Sequence, residues 1–156
     1  KETSGAVLFA KNPFVLPILN RLLEKKDIHR EYWALVEGSF PYKSQIFKDK
    51  IGRDRHDRRK RLVDNKNGRY AETHVTRLKV FDKHTLVKCQ LKTGRTHQIR
   101  VHLSHQGFPL VGDPLYNQLP SKRLMLHAHR LDFIHPFSLE KICVEAPSES
   151  FEKGLK

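Results

Sequence analysis

The stretch Thr93-Gly94-Arg95-Thr96-His97-Gln98-Ile99-Arg100-Val101-His102 holds the chain's most reactive-looking arrangement of residues. Arg95 stands between a glycine and a hydroxyl residue, at what reads as the start of a short helix. A helix N-terminus leaves backbone N–H groups free and carries a partial positive charge, so anions favour it. An arginine there adds a planar fork that fits a carboxylate or a phosphate. The residues alone leave both anions open. The plainer reading, a surface ion pair worth about 0–1 kcal/mol, sits poorly with Gly94 and with so polar a sequence.

A second arrangement is Arg53-Asp54-Arg55-His56-Asp57-Arg58-Arg59-Lys60-Arg61, with six cations against two acids. It is too polar for a core. Most such runs are merely solvated. This one lies in a chain with 30 Lys and Arg against 17 Asp and Glu, a net charge of +13 and a pI near 10.0. Such a field draws polyanions, so Arg53, Arg55, Arg58, Arg59, Lys60 and Arg61 are expected to contact nucleic-acid phosphates. Tyr32 and Trp33 fall on opposite faces of one strand; either could be core, and a tyrosine under a cleft could stack on a base. The ten histidines suggest zinc, but no His-Glu-x-x-His occurs and no cysteine pair has ligand spacing.

The elements that must carry these residues follow from periodicity. Ala6 to Lys11 reads as a buried strand. Asn12 as N-cap and Pro13 at the first position open a helix carrying Val15, Ile18, Leu19, Leu22 and Leu23, with Lys25 and Lys26 at its end. Glu31 to Glu37 is a strand closed by Gly38. Residues 39–61 show no apolar pattern. Asn65 to Gly68 is a turn. A strand from Ala71 to about Phe81 turns at Asp82-Lys83-His84 into an antiparallel partner through Val87, Cys89 and Leu91. Thr96 caps a helix with Ile99 and Leu103 on one face, ended by Gly107 and Pro109. Leu124 to Ile134 and Ile142 to Ala146 are further strands.

The class is therefore α+β, a mixed, mainly antiparallel β-sheet with flanking helices. At 156 residues one domain is expected. Cys89 and Cys143 both read as buried free thiols, which fits a reducing, cytoplasmic setting. No apolar run approaches the roughly 18 residues of a membrane span, and no membrane association is expected.

Taken together, the motifs resemble the RluA-type pseudouridine synthases. Gly94 to His102 is similar to their arginine motif. Glu31-Tyr32-Trp33-Ala34-Leu35-Val36-Glu37-Gly38 is similar to their tyrosine motif. Ala71-Glu72-Thr73, Gly107 to Tyr116, and Leu126-His127-Ala128 through His135-Pro136 resemble three further blocks, in the same order. The resemblance implies the pseudouridine synthase fold and isomerisation of uridine in structured RNA, with no cofactor or metal. It implies that the target nucleotide is flipped from its stack. It places Arg95 as the partner of a catalytic aspartate and Tyr32 against the uracil. Ile99, with Thr96 and Gln98, would line the substrate pocket. Ribosomal RNA is the expected substrate and transfer RNA the alternative, acted on by a monomer.

One departure matters. The resembled aspartate closes a His-Arg-Leu-Asp run that leads into Lys-x-Thr-Ser-Gly, and this sequence opens with Lys1-Glu2-Thr3-Ser4-Gly5. The aspartate is expected immediately before Lys1, which would make 1–156 an N-terminally incomplete catalytic domain. His129-Arg130-Leu131-Asp132 repeats the four letters in the wrong block, so Asp132 is not assigned as the nucleophile. Two other readings compete: a non-catalytic RNA-binding or ribosome-assembly module, and a zinc hydrolase built on the histidines.

Overall fold

The computed structural model describes residues 2–155, and among them nine strands and three α-helices. The centre is β2 (His29–Glu37), flanked by β7 (His84–Leu91) and β8 (Leu126–Ile134), both antiparallel to it. Beyond β7 come β6 (Thr73–Val80) and then β3 (Ser44–Phe47), again antiparallel. The other edge of β8 is shared. Near its start it pairs in parallel with β1 (Ser4–Gly5), and near its end antiparallel with β9 (Lys141–Glu145). A separate hairpin joins β4 (Ile51–Arg53) to β5 (Arg61–Val63).

Both faces of the central strands are buried. On one face Ala34, Val36, Val75, Val87 and Cys89 pack on Ile99 and Leu103 of helix α2 (Gln98–His105). On the other, Leu35 and Leu86 pack on Met125 and on Phe151 of the short helix α3 (Glu149–Glu152). This is why β2 reads as a near-continuous apolar run rather than a clean alternation.

Several expectations are corrected. Residues 6–11 form no strand: Val7 is 69% and Phe9 81% exposed. The edge of β8 that could have paired them is occupied from Arg130 onward by β9, so the last rung is Ala6 N–H to Ala128 O. Helix α1 is Leu16–Glu24, not from Pro13. Asn12 caps a turn instead, its Oδ1 accepting from Phe14 N–H at 2.9 Å. Pro17 falls in the first turn of α1, where its missing N–H has no helical partner to lose. The segment 39–63 holds three short strands, with Phe40, Phe47 and Ile51 buried. Cys143 is exposed, because β9 has a neighbour on one side only; Cys89 is buried as expected.

Candidate active site

Helix α2 does not begin as the sequence suggests. Thr96 caps nothing: the N-cap is His97, in the left-handed region at φ 57° with no side-chain cap. Gln98 builds the turn. Its Oε1 accepts from Arg95 N–H at 3.0 Å and from the Thr93 hydroxyl at 2.7 Å. Its Nε2 donates to Glu72 O at 3.0 Å and Thr73 Oγ1 at 2.9 Å. One buried amide thus ties the arginine turn to the first residue of β6.

Arg95 projects from that turn. Its Nε donates to Tyr70 O at 2.9 Å, while neither Nη group bonds or ion-pairs with any described residue. Beside it opens a cavity of about 220 Å³ walled by Tyr32, Leu91, Arg95, Gln98, Ile99 and Leu126, with Glu2, Thr3, His97, Arg100 and Leu124 completing it. That is smaller than the ~300–1,000 Å³ of pockets for drug-sized ligands, a scale suited to one planar base. Tyr32 is placed by a bulge: the β2–β8 register steps between Glu31 and Tyr32, leaving His129 as the extra residue, stacked on Trp33 at 3.8 Å. Bulges beside functional sites re-aim side chains. Burial pushes the Tyr32 phenol above its ordinary value, and the nearby Arg30 charge opposes that rise.

On the hairpin side of the same turn lies an open groove of about 510 Å³ lined by Arg53, Arg61, Arg69, Gly94, Arg95 and Thr96, among others. Arg53 and Arg61 face each other across the hairpin. Like charges directly opposite oppose strand pairing, an arrangement that suits a polyanion between them. Of the basic run, these two line the groove. Arg55 and Arg58 are exposed in the loop with Lys60 half-buried, and Arg59 is committed to Asp57 at 2.8 Å. Arg69 belongs with the groove and lies outside the arginine-rich run. Its only sequence signal was the adjoining Asn-Lys-Asn-Gly turn, which brings it back against Ile51. Thr96 lines this groove and not the Tyr32 cavity.

A polar clasp holds the two sides together. Asp113, buried, grips Arg100 through Oδ1 at 2.6 Å and Oδ2 at 2.7 Å. Arg100 lies over the Tyr116 ring, 5.1 Å from its centre. The Tyr116 hydroxyl accepts from Arg61 N–H at 2.8 Å and meets His97 Nδ1 at 2.9 Å. The hairpin is thereby anchored to the residue that starts α2. Nothing in the residue pattern signals this link, since Tyr116 and Arg61 are far apart in the chain.

Asp132 ion-pairs with Arg130 at 2.8 Å and opens onto a different cavity, which neither Arg95 nor Tyr32 lines. Glu2 is the carboxylate that reaches the Tyr32 cavity, and it forms no ion pair with Arg95. Among the described residues no three His, Cys, Asp or Glu side chains gather as metal ligands, and no helix is long and apolar enough to cross a membrane.

A mixed sheet with an arginine turn over a base-sized cavity defines a class that comparison identifies. The family model described as RNA pseudouridylate synthase matches residues 1–105, and the chain belongs to that family. It is 43% identical over 152 residues to an uncharacterized RNA pseudouridine synthase of Bacillus subtilis, covering 94% of this chain and 49% of the relative. It is 40% identical over 164 residues to ribosomal large subunit pseudouridine synthase D of Neisseria meningitidis, covering 94% of this chain and 43% of the relative. The chain thus spans about half the length of the curated relatives it matches. Among solved structures, human RNA pseudouridylate synthase domain containing 1 superposes with a TM-score of 0.73 at 27% identity, over 88% of this chain and 62% of that one.

Proposed function

We propose that this chain carries the site at which uridines of structured RNA are isomerised to pseudouridine, with large-subunit ribosomal RNA as the substrate. The observation that supports it most is Arg95: a turn-held guanidinium with two unsaturated nitrogens beside Tyr32 and Ile99, in a cavity sized for a base. The relative named for the large ribosomal subunit supports the choice of RNA, and the groove of Arg53, Arg61 and Arg69 supplies contacts for its backbone. In this reading the protein acts in the cytoplasm, as a monomer.

In this reading the nucleophile is an aspartate immediately before Lys1. Glu2 and Thr3 line the Tyr32 cavity, so the chain leads past its wall. Arg95 keeps that carboxylate ionised and oriented. The carboxylate assists cleavage of the bond between ribose and uracil N1; the freed uracil turns and rejoins through C5. Tyr32 packs on the uracil; as the new bond forms, C5 gives up its proton and N1, freed from the ribose, takes one up. Ile99 walls the pocket, and the enclosure retains the detached base. Gln98 lines the cavity and fixes the turn, and Thr96 faces the RNA backbone.

The test is tritium release from RNA labelled at uridine C5, using the full-length protein and RNA from a strain lacking the gene. Release from ribosomal RNA is expected. Release from transfer RNA alone would move the substrate, and tight binding without release from any RNA would favour the non-catalytic module.

A further inference from the structure

Arg30 precedes Tyr32 by two residues on β2 and so shares its face of the strand. Its guanidinium lies against Gly94, where a Cβ would stand 2.6 Å from Nη1. Any other residue at 94 would displace the arginine. Arg30 is only partly exposed, yet its Nε has no hydrogen-bond partner and it forms no ion pair with a described residue. Its buried and partly buried counterparts are provided for: Arg100 by Asp113, Arg77 by the Phe40 carbonyl, Arg123 by Ser4. A cation drawn from water without a partner is costly, which points to a partner that arrives with the substrate.

The space around it has the chemistry of an anion seat. A pocket of about 390 Å³ on the α1 side of the arginine turn is walled by Lys26, Arg30, Lys92 and Arg95, with Glu24 its single acid. It lies across the turn from the Arg53–Arg61 groove, and Gly94 and Arg95 border both. A nucleic-acid strand laid over the turn would meet cations on either side, with Arg95 bordering the Tyr32 cavity as well.

We propose that this second pocket seats a backbone phosphate of the RNA, next to the nucleotide that enters the Tyr32 cavity, with Arg30 as its innermost contact. The proposal rests on the RNA-modifying reading of the Tyr32 cavity but not on turnover.

The test is equilibrium binding of a single-stranded twelve-residue oligouridylate to the full-length protein across a series of salt concentrations. For single strands, each neutralised phosphate contributes about 0.7 to the slope of log affinity against log salt. Arg30→Gln should bind several-fold more weakly and lose about 0.7 from that slope, while Arg30→Lys should keep the slope. Lys92→Gln, at the pocket wall and outside the core, should also lower it if Arg30→Gln does not fold. An unchanged slope in Arg30→Gln or, failing that variant, in Lys92→Gln would overturn the seat. So would equal slopes in Arg30→Lys and Arg30→Gln, since that would mean Arg30 only props the turn. A lowered slope without tritium release would leave the seat standing and the isomerase reading in doubt; release with an unchanged slope would do the reverse.

Discussion

Arg95 and Arg100 stand five residues apart in one motif and lead opposite lives. Arg100 is buried, bidentate to Asp113 and stacked on Tyr116. Arg95 spends one nitrogen on the Tyr70 carbonyl and leaves the rest of its fork toward a cavity and two grooves. A guanidinium paired with a buried carboxylate holds the fold; one with both Nη groups unpartnered is available to a ligand. Identical residue types in one motif are told apart by what already satisfies them.

The comparison breaks most readily at Asp113. Removing one partner of a buried ion pair strands the other charge, so Asp113→Ala should cost about 3–5 kcal/mol in denaturant unfolding. The same experiment on Arg95→Gln should show a change of less than about 1 kcal/mol. Equal losses would erase the distinction. Tyr116→Phe comes next. It deletes the hydroxyl that joins Arg61 to His97, two bonds worth about 0.5–1.5 kcal/mol each, and should weaken RNA binding by loosening the hairpin. Unchanged stability and affinity would show that the hairpin needs no clasp.

A pH effect is smaller. His102 is fully buried between Thr73 Oγ1 and the Asp49 carbonyl, each at 2.9 Å, and burial lowers its pKa below the ordinary 6.5. The fold therefore keeps it neutral, while the unfolded chain takes up a proton below 6.5. Its contribution is present above that pH and lost as pH falls toward the lower folded value. Thermal midpoints should decline from pH 7 to 5, and His102→Gln should flatten the decline; an identical decline in the variant would remove His102 as its cause. The smallest effect concerns Glu72, whose carboxylate accepts from the Tyr70 hydroxyl and bonds His74 Nε2 at 2.7 Å. These partners hold it down to about 2 from the ordinary 4.5. Its stabilisation is present above 4.5 and fades as pH falls toward 2, so Glu72→Gln should soften acid unfolding slightly in that window. A steeper acid limb in the variant would contradict it.

The sequence made some of this legible and hid the rest for physical reasons. Strands β6, β7, β8 and β9 show their alternation because neighbouring strands demand it, and β2 shows as an apolar run because both of its faces are buried. The segment 39–61 is opaque because charge swamps Phe40, Phe47 and Ile51, which bury one at a time. The false strand at 6–11 was apolar enough but had no free edge to join. Within the site, Tyr32, Arg95 and Ile99 converge on one cavity as their motifs suggest. The cap was misread because Gln98, placed after the turn, supplies what Thr96 was expected to supply. Arg30 and Arg69 are invisible in the sequence because only the folded chain brings Arg30 against Gly94 and Arg69 into the groove beside the arginine turn.

The central claim, that Arg95 serves chemistry and not the fold, is tested most directly by Arg95→Lys in the full-length protein. Tritium release from C5-labelled ribosomal RNA and affinity for the same RNA are measured side by side. The account predicts that release falls by about a hundredfold or more, as when a key transition-state partner is lost, while affinity and unfolding midpoint stay near those of the parent. Full release with Arg95→Lys, or release and affinity falling together, would contradict it.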